Sequence, residues 1–200
     1  MIPYHMNPMG LSGLPYKRRL SYLESTGTQW IDTGIIPDSA TACHYYGQAT
    51  TSPATYTVSN GFGEIETGKR YGFTYSKSGS VLQFVNYRSI MDFNVGDYHM
   101  FSVDLTPVNA GMQFNFVNIS THDSRMETMS GTISPSTTCT LFGVNGHPFS
   151  TRVYSFSMTK NQTVLLDLFP VLDRQNVPCM FDKVSWIMFY NQGTGQFLYA

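Results

Sequence analysis

Charged side chains are scarce in this chain. Asp, Glu, Lys and Arg make up 12% of its 200 residues, and the formal net charge is -1, whereas an average soluble domain is roughly 25% charged. A protein that attracts nucleic acid or anionic lipid through its own field needs a surplus of positive charge. We therefore expect neither nucleic acid nor a membrane among the partners.

Long hydrophobic runs and cysteine pairs are lacking too. No apolar stretch approaches the roughly 18 residues of a membrane span. The opening MIPYHMNPMGLSGLPYKRR carries its charges after its apolar residues, the reverse of a secretory signal, so we expect a soluble chain that is not exported by that route. Cys43, Cys139 and Cys179 are far apart and form no CxxC pair, which predicts buried thiols without disulfide, zinc or cofactor. Calcium, which needs only loop oxygens, stays open.

Aromatic residues are abundant, with 13 Tyr and 14 Phe, and such side chains fit a pleated, half-buried surface. Short alternating or aromatic runs separated by Gly, Asn, Asp, Ser and Pro predict an all-β jelly-roll sandwich over residues 18–200. Any helix should be short, because no window has a 3.6-residue period with caps. We predict strands near 18–24, 28–35, 41–48, 55–59, 70–76, 81–87, 98–105, 112–118, 137–144, 151–158, 163–169, 179–181, 186–190 and 196–199.

Two stretches show the period of 2 that predicts a strand with one wet face. In GMQFNFVNIS, Met112, Phe114 and Phe116 point one way, with Gln113 and Asn115 opposite. In TRVYSFSM, the alternation predicts Tyr154, Phe156 and Met158 on a common face, with Ser155 and Ser157 between them.

Residues 1–17 form an irregular N-terminal arm. Three prolines and two glycines interrupt it, and it has no period of 2 or 3.6. Its Met, Tyr and Leu side chains would be poorly placed in solvent alone. Docking of the arm on a neighbouring subunit and a disordered tail both fit this pattern.

Catalytic motifs are incomplete. GEIETGKR at 63–70 matches a P-loop except that Arg70 replaces the final Ser or Thr, and the next residues predict a strand and a turn where a P-loop needs a helix. A glycosidase needs two carboxyl groups facing one bond. Glu64 and Glu66 have suitable spacing but lie in a Gly-rich turn, and Asp167 and Asp173 flank Pro170 in a predicted bend.

No arrangement for acyl transfer stands out either. There is no GxSxG, and the five histidines have no suggestive spacing to Ser or Cys. Cys43 precedes His44, but adjacent strand residues point to opposite faces. We therefore expect a protein that is not an enzyme.

Sugar binding needs less machinery, namely an exposed aromatic platform with amide and hydroxyl groups around it. The HYY run at 44–46, Trp30, Trp186 and Tyr190 supply candidate rings. Core packing is the alternative role for each of them. The candidate ligand-binding residues are Tyr45, Tyr46, Trp186 and Tyr190.

Both ends of the chain resemble one family. YLESTGTQWIDTGI at 22–35 is similar to the YIESTGTQYIDTGI opening of virion and prophage proteins of tailed bacteriophages, and FDKVSWIMFYNQGTGQF at 181–197 is similar to their closing segment. Trp186 stands where the family usually has Gly, and residues 40–150 match only in strand rhythm. The positions that carry the signature are Glu24, Trp30, Asp32, Gly34, Asp182, Gly193 and Gly195.

The resemblance implies a concanavalin A-like or laminin G-like jelly roll in a phage virion. The chain would be made in the bacterial cytoplasm and carried on the particle surface, as a head fibre, decoration or tail-associated protein that binds host or mucosal glycans. Other virion proteins would be bound through residues 1–17. A bacterial carbohydrate-binding module or glycanase fragment is the alternative.

The signature residues also have a physical interpretation. We expect the N- and C-terminal strands to pair, with Asp32 and Thr33 bonding a turn and the glycines at 193–195 forming a hairpin turn. Few charges and many aromatic and Met side chains favour contacts between copies of the chain, and a homotrimer is the first expectation.

Overall fold

The computed structural model describes residues 13–50, 59–64, 71–76, 81–84, 88–90, 98–144, 147–148 and 150–200. These residues contain no α-helix, and all their strand pairs are antiparallel, which confirms the all-β class. The strands are β1 (Tyr16–Arg19), β2 (Leu23–Thr26), β3 (Ile31–Asp32), β4 (Thr41–Ala49), β5 (Ser59–Glu64), β6 (Tyr71–Ser76), β7 (Val81–Phe84), β8 (Arg88–Ile90), β9 (Met100–Val108), β10 (Gly111–Asn118), β11 (Asp123–Ser130), β12 (Thr140–Leu141), β13 (Gly143–Val144), β14 (His147–Pro148), β15 (Ser150–Lys160), β16 (Thr163–Asp173), β17 (Pro178–Asp182), β18 (Met188–Phe189) and β19 (Leu198–Tyr199).

The large sheet has the strand order β11-β10-β9-β4-β15-β16-β17-β18. Beyond β4, strand β15 pairs with β2 along its first residues and with β16 along its last ones. β1 joins β16, and β19 joins β2. The pairing of β2 with β19 confirms that the two ends of the chain meet in one sheet.

A smaller sheet with the order β3-β12-β5-β6-β7-β8 lies against one face of the large sheet. The core between them is largely aromatic: the ring of Tyr45 on β4 stacks on Phe62 of β5 at 5.3 Å, and Phe73 of β6 lies 5.5 Å from Phe101 of β9. All four rings are buried. Each such ring removes about 150–250 Å² from water, so this layer is the main source of stability.

Alternation along β10 is confirmed, since Met112, Phe114 and Phe116 are fully buried and Gln113 and Asn115 are on the other face. Along β15 the prediction is wrong. Phe156 and Met158 enter the core, but the register with β4 shifts between Val153 and Ser155. Such a bulge adds one residue to a strand, and Tyr154 therefore points to the outer face.

A second, smaller hydrophobic cluster covers part of the outer face. Phe169, Val171, Cys179 and Phe181 form it, with Tyr16 packed against them. Tyr16 and Lys17, which the sequence placed at the end of the arm, are therefore the start of β1. Residues 1–12 of the arm lie outside the described residues.

Two further loop predictions can be compared with the strands. Pro170 lies within the unbroken β16, so the predicted bend between Asp167 and Asp173 is wrong. After GEIETGKR the chain continues as strand β6, paired antiparallel with β5. This confirms the prediction of a strand at the position where a P-loop needs a helix. The residues at 65–70, including Glu66, lie outside the described part. Nowhere in the described ranges is there a helix of the length and hydropathy needed to cross a membrane.

Candidate functional site

A groove of about 540 Å³ opens on the outer face of the large sheet. Its lining comes from three places in the chain: the end of β1 with the two residues after it, strand β4 and the bulge of β15. This volume is within the range of about 300–1,000 Å³ that small-molecule sites occupy. The lining residues are Arg19, Leu20, Ser21, Tyr46, Tyr154 and Ser155.

The β15 bulge builds this groove. Val153 and Phe156 are both fully buried, and the two residues between them, Tyr154 and Ser155, are half-buried on the outer side. A regular strand would send one of these two side chains into the core. The extra residue instead lets Tyr154 lie beside Tyr46 of β4, and the two rings stack with centroids 4.8 Å apart and an interplanar angle of 29°.

Arg152 connects the strands next to the aromatic pair. Its Nε donates to Glu24 Oε2 at 2.6 Å, and its Nη1 donates to Gln48 Oε1 at 3.0 Å. Burial alone would lower the pKa of Arg152, but the Glu24 carboxylate outweighs it and raises that pKa. The guanidinium is therefore a permanent cation held in one orientation.

The polar and aromatic groups share one network. Tyr154 donates its hydroxyl to Gln48 Oε1 at 3.0 Å, and the Arg152 guanidinium lies 4.4 Å from the centre of the Tyr22 ring. Burial, the largest influence, raises the pKa of Tyr154, so its hydroxyl is protonated at neutral pH. The result is an amphipathic aromatic wall whose polar end is held by internal hydrogen bonds, because Gln48 Nε2 also donates to the Tyr98 carbonyl at 2.7 Å.

A row of polar side chains crosses the same face farther along the strands. His44 Nδ1 is 2.6 Å from Asp104 Oδ1, and Ser157 is opposite His44 on β15. The bond to Asp104 raises the pKa of His44, against the opposing effect of burial. The hydrogen bonds of the described residues do not join Ser157 to His44, so the row is an ion pair beside a hydroxyl group. Cys43, next to His44, is buried on the opposite face, as predicted.

The four predicted ligand-binding residues separate into three places. Tyr46 lines the groove. Tyr45 is fully buried in the core, with its hydroxyl 3.3 Å from Thr151 Oγ1, so its ring faces no ligand. Trp186 is 55% exposed near the second cluster, and Tyr190 donates to Asp173 Oδ2 at 3.1 Å. The structure thus brings only Tyr46 into the groove.

Several signature residues organise turns. Asp32 Oδ1 accepts from the amide of Gly34 at 2.8 Å, and Thr33 Oγ1 accepts from Ile35, which confirms the predicted bonding of this turn. Gly34 has φ of 70°, a conformation that favours glycine. Asp182 accepts bonds from the loop that follows β17. Glu24 alone among the signature residues touches the groove network.

The glycines at 193–195 do not form the predicted hairpin turn, because β18 and β19 pair with other strands. This segment instead packs on residues 28–30. The Trp30 amide donates to Asn191 Oδ1 at 3.1 Å, and a Cβ on Gly193 would meet the Thr28 carbonyl oxygen at 2.0 Å. Gly195 has φ of 74°, a conformation that favours glycine.

Sequence reasoning missed four residues of the site: Tyr22, Gln48, Arg152 and Tyr154. Arg152 and Glu24 are 128 residues apart, and no local pattern joins them. The only available signal was an arginine in a Ser- and Thr-rich strand, in a chain with few charges. Within the described ranges no three His, Cys, Asp or Glu side chains cluster in a way that could hold a metal ion, and the thiols of Cys43, Cys139 and Cys179 are buried.

No protein-family model and no curated protein matches the chain. Among solved structures, Scytalido-glutamic peptidase with a peptide-based transition state analog is 12% identical, over 86% of this chain and 100% of that chain, with a TM-score of 0.49. SCP-B, a member of the Eqolisin family of peptidases in complex with the tripeptide Ala-Ile-His, is 13% identical over the same shares, with a TM-score of 0.47.

Both of these structural neighbours are peptidases, which contradicts the expectation that this chain is not an enzyme, and that expectation is withdrawn. With identities of 12% and 13% and TM-scores of 0.49 and 0.47, the likeness assigns no activity, substrate or catalytic residue to this chain.

Proposed function

We propose that the chain is a structural protein of a bacteriophage particle whose jelly-roll domain binds host or mucosal glycans through the aromatic groove. The virion role follows from the resemblance of residues 22–35 and 181–197 to phage proteins. The glycan role follows from the groove. Head fibre, head decoration and tail-associated adhesin are all compatible positions on the particle surface.

The observation that carries the glycan proposal is the stacked pair of Tyr46 and Tyr154 beside the fixed polar groups of Arg152 and Gln48. A sugar has apolar ring faces and a rim of hydroxyl groups. The tyrosine rings offer the flat contact, and the Arg19 guanidinium and the Ser21 and Ser155 hydroxyls that line the groove offer directed hydrogen bonds. A neutral sugar or one with a carboxylate suits this site, because Glu24 balances the charge of Arg152 and the charged residue of the lining is Arg19.

Binding is tested by a glycan array followed by calorimetric titration of the best ligand against three single variants. Y46A and Y154A each remove one ring of the stacked pair, and each should weaken binding at least tenfold, or about 1.4 kcal/mol. W186A is the matched control because Trp186 is an exposed aromatic outside the groove lining, and its affinity should equal that of the unmodified chain.

Circular dichroism of each variant checks that the sandwich is folded. Loss of binding in W186A with full binding in Y46A would move the site to the 182–190 segment and contradict the groove. Absence of any glycan ligand would end the adhesin part of the proposal.

The assembly role is tested by light scattering with and without residues 1–12. This deletion spares β1 and also the Leu14 carbonyl, which accepts from Arg174 at 2.6 Å. A smaller assembly after deletion supports an arm that contacts neighbouring virion subunits. An unchanged mass removes the arm from assembly, and a monomer in both forms with glycan affinity favours a bacterial carbohydrate-binding module.

A further inference from the structure

Strand β11 is the last strand of the large sheet among the described residues. It runs from Asp123 to Ser130, and every residue in it except Met129 is exposed. Met126, at its middle, is 63% exposed. A long exposed edge strand is a template for pairing with another strand.

The direction of the backbone groups of β11 follows from two hydrogen bonds at the ends of β10. Ile119 N donates to Met100 O at 2.8 Å, and Gly131 N donates to Ala110 O at 2.9 Å. Backbone bonds alternate between the two sides of an antiparallel strand. The odd-numbered residues of β11 therefore bond to β10, and the amides and carbonyls of Ser124, Met126 and Thr128 point away from the sheet. In the single chain Arg125 Nη1 donates to the Ser124 carbonyl at 2.9 Å, and pairing with a second strand would exchange this bond for a backbone one.

The sequence of β11, DSRMETMS, is self-complementary around Met126. If a second copy of this strand pairs antiparallel about a two-fold axis at Met126, each residue opposes the one equally far on the other side. Arg125 then faces Glu127 of the other copy, twice in the dimer. Ser124 faces Thr128 in the same way, and Met126 faces Met126. The pairs formed by these even-numbered residues use the outward backbone groups.

We propose that two copies of this chain associate through β11, joining their large sheets across a two-fold axis at Met126. The interface is isologous, as in most protein dimers. Arg125 and Glu127 sit at non-hydrogen-bonded positions of the new pair, where opposing side chains are closest. They share the face of Phe114 and Phe116, their partners on β10. A dimer accordingly replaces the trimer expected from composition.

Charge also explains why this edge would select its own copy. Charges on an edge strand discourage pairing with unrelated strands. In the two-fold register each charge meets its opposite, whereas a shift by two residues brings Glu127 against Glu127 or Arg125 against Arg125. The same two side chains thus disfavour wrong registers and fit the symmetric one.

The test uses charge reversal and light scattering over a range of concentrations. The unmodified chain should show a dimer whose fraction rises with concentration. R125E brings four acids together at the axis and E127R brings four arginines together, so each should raise the dimer dissociation constant at least tenfold. An equimolar mixture of the two variants should dimerise, because every contact across the axis is then Arg to Glu.

The double variant R125E/E127R restores the complementary pairs and should dimerise like the unmodified chain. Recovery in the mixture and in the double variant cannot come from misfolding of a single variant. A monomer for the unmodified chain, a trimer insensitive to both reversals, or a mixture that stays monomeric would overturn the proposal. Glycan titration of R125E separates the two ideas, since the groove is on other strands and its affinity should persist.

Discussion

Replacing Asp182 is expected to cost much more stability than replacing its neighbour Asp167. Asp182 is fully buried at the end of β17. Its Oδ1 accepts from the Asp167 amide at 2.8 Å and the Val184 amide at 3.2 Å, and its Oδ2 accepts from the Ser185 amide at 2.8 Å and hydroxyl at 2.6 Å. One side chain thus ties the 183–186 loop to β16.

The magnitude of D182A follows from what happens to those donors. Val184 and Ser185 are exposed, so their amides can bond to water after the change and cost about 1 kcal/mol together. The Asp167 amide lies between strands, and leaving it without its charged acceptor costs about 2–3 kcal/mol. The sum of about 3–4 kcal/mol corresponds to a fall of roughly 10 °C in Tm for a chain of this size.

The pH dependence has a definite sign. Burial raises the pKa of Asp182, but the hydrogen bonds from Ser185, Asp167 and Val184 outweigh it and hold that pKa below its usual value. A lowered folded pKa contributes stability that is present above the unfolded value of about 3.9 and is lost as pH falls through the folded value. D182N, which keeps one acceptor but no charge, should lose about half as much as D182A and should lack this acid dependence.

The assay is urea denaturation followed by circular dichroism at pH 7 and again from pH 5 to 2.5. D167N is the matched control: Asp167 is next to the same loop, and its Oδ2 accepts from Lys183 at 2.7 Å at the surface. An exposed ion pair contributes under about 1 kcal/mol. A loss below 1 kcal/mol for D182A, or an equal loss for D167N, would refute the reasoning.

Three further outcomes are expected. The bond to Asp104 raises the pKa of His44, so the ion pair should add under about 1 kcal/mol to the free energy of unfolding below pH 6.5, and this contribution should disappear as pH rises through the pKa of His44 in the folded chain; an H44Q variant with the same pH profile of stability would contradict this. G193A should lower the denaturation midpoint more than G34A, because a Cβ at Gly193 meets a backbone oxygen at 2.0 Å, whereas at Gly34 the space is open and only the φ of 70° is unfavourable; equal midpoints would contradict it. Burial raises the pKa of Cys43 and Cys179 to about 12, so a thiol reagent at pH 8 should label neither until the chain unfolds; rapid labelling of native protein would contradict it.

The class of fold follows from local features that a single sequence displays. A period of 2 in β10 separates Met112, Phe114 and Phe116 from their polar neighbours, and only one face of such a strand can enter a core. Turn chemistry is local as well, since Asp32 bonds the amide two residues later. The rejection of a P-loop rested on the residues that follow it, and these do form β6.

The outer face could not be predicted in this way. Tyr154 was placed with Phe156 because alternation assumes a regular strand, but the register with β4 inserts an extra residue. Whether a bulge forms depends on how the neighbouring strand fits, and the neighbour is about a hundred residues away in sequence. The sequence likewise could not show that Tyr45 is buried and Tyr46 half-exposed, because this depends on which face of β4 packs against the core.

The sequence by itself therefore determined that this chain is all-β, which face of β10 enters the core and how Asp32 bonds its turn. Tertiary structure alone decided which aromatic rings line the groove, that Arg152 joins Glu24 to Gln48, and that β11 ends the large sheet among the described strands. The reason is physical. Alternation and turn bonding act between residues near each other in the chain, whereas register, bulges and sheet edges depend on pairing between distant segments.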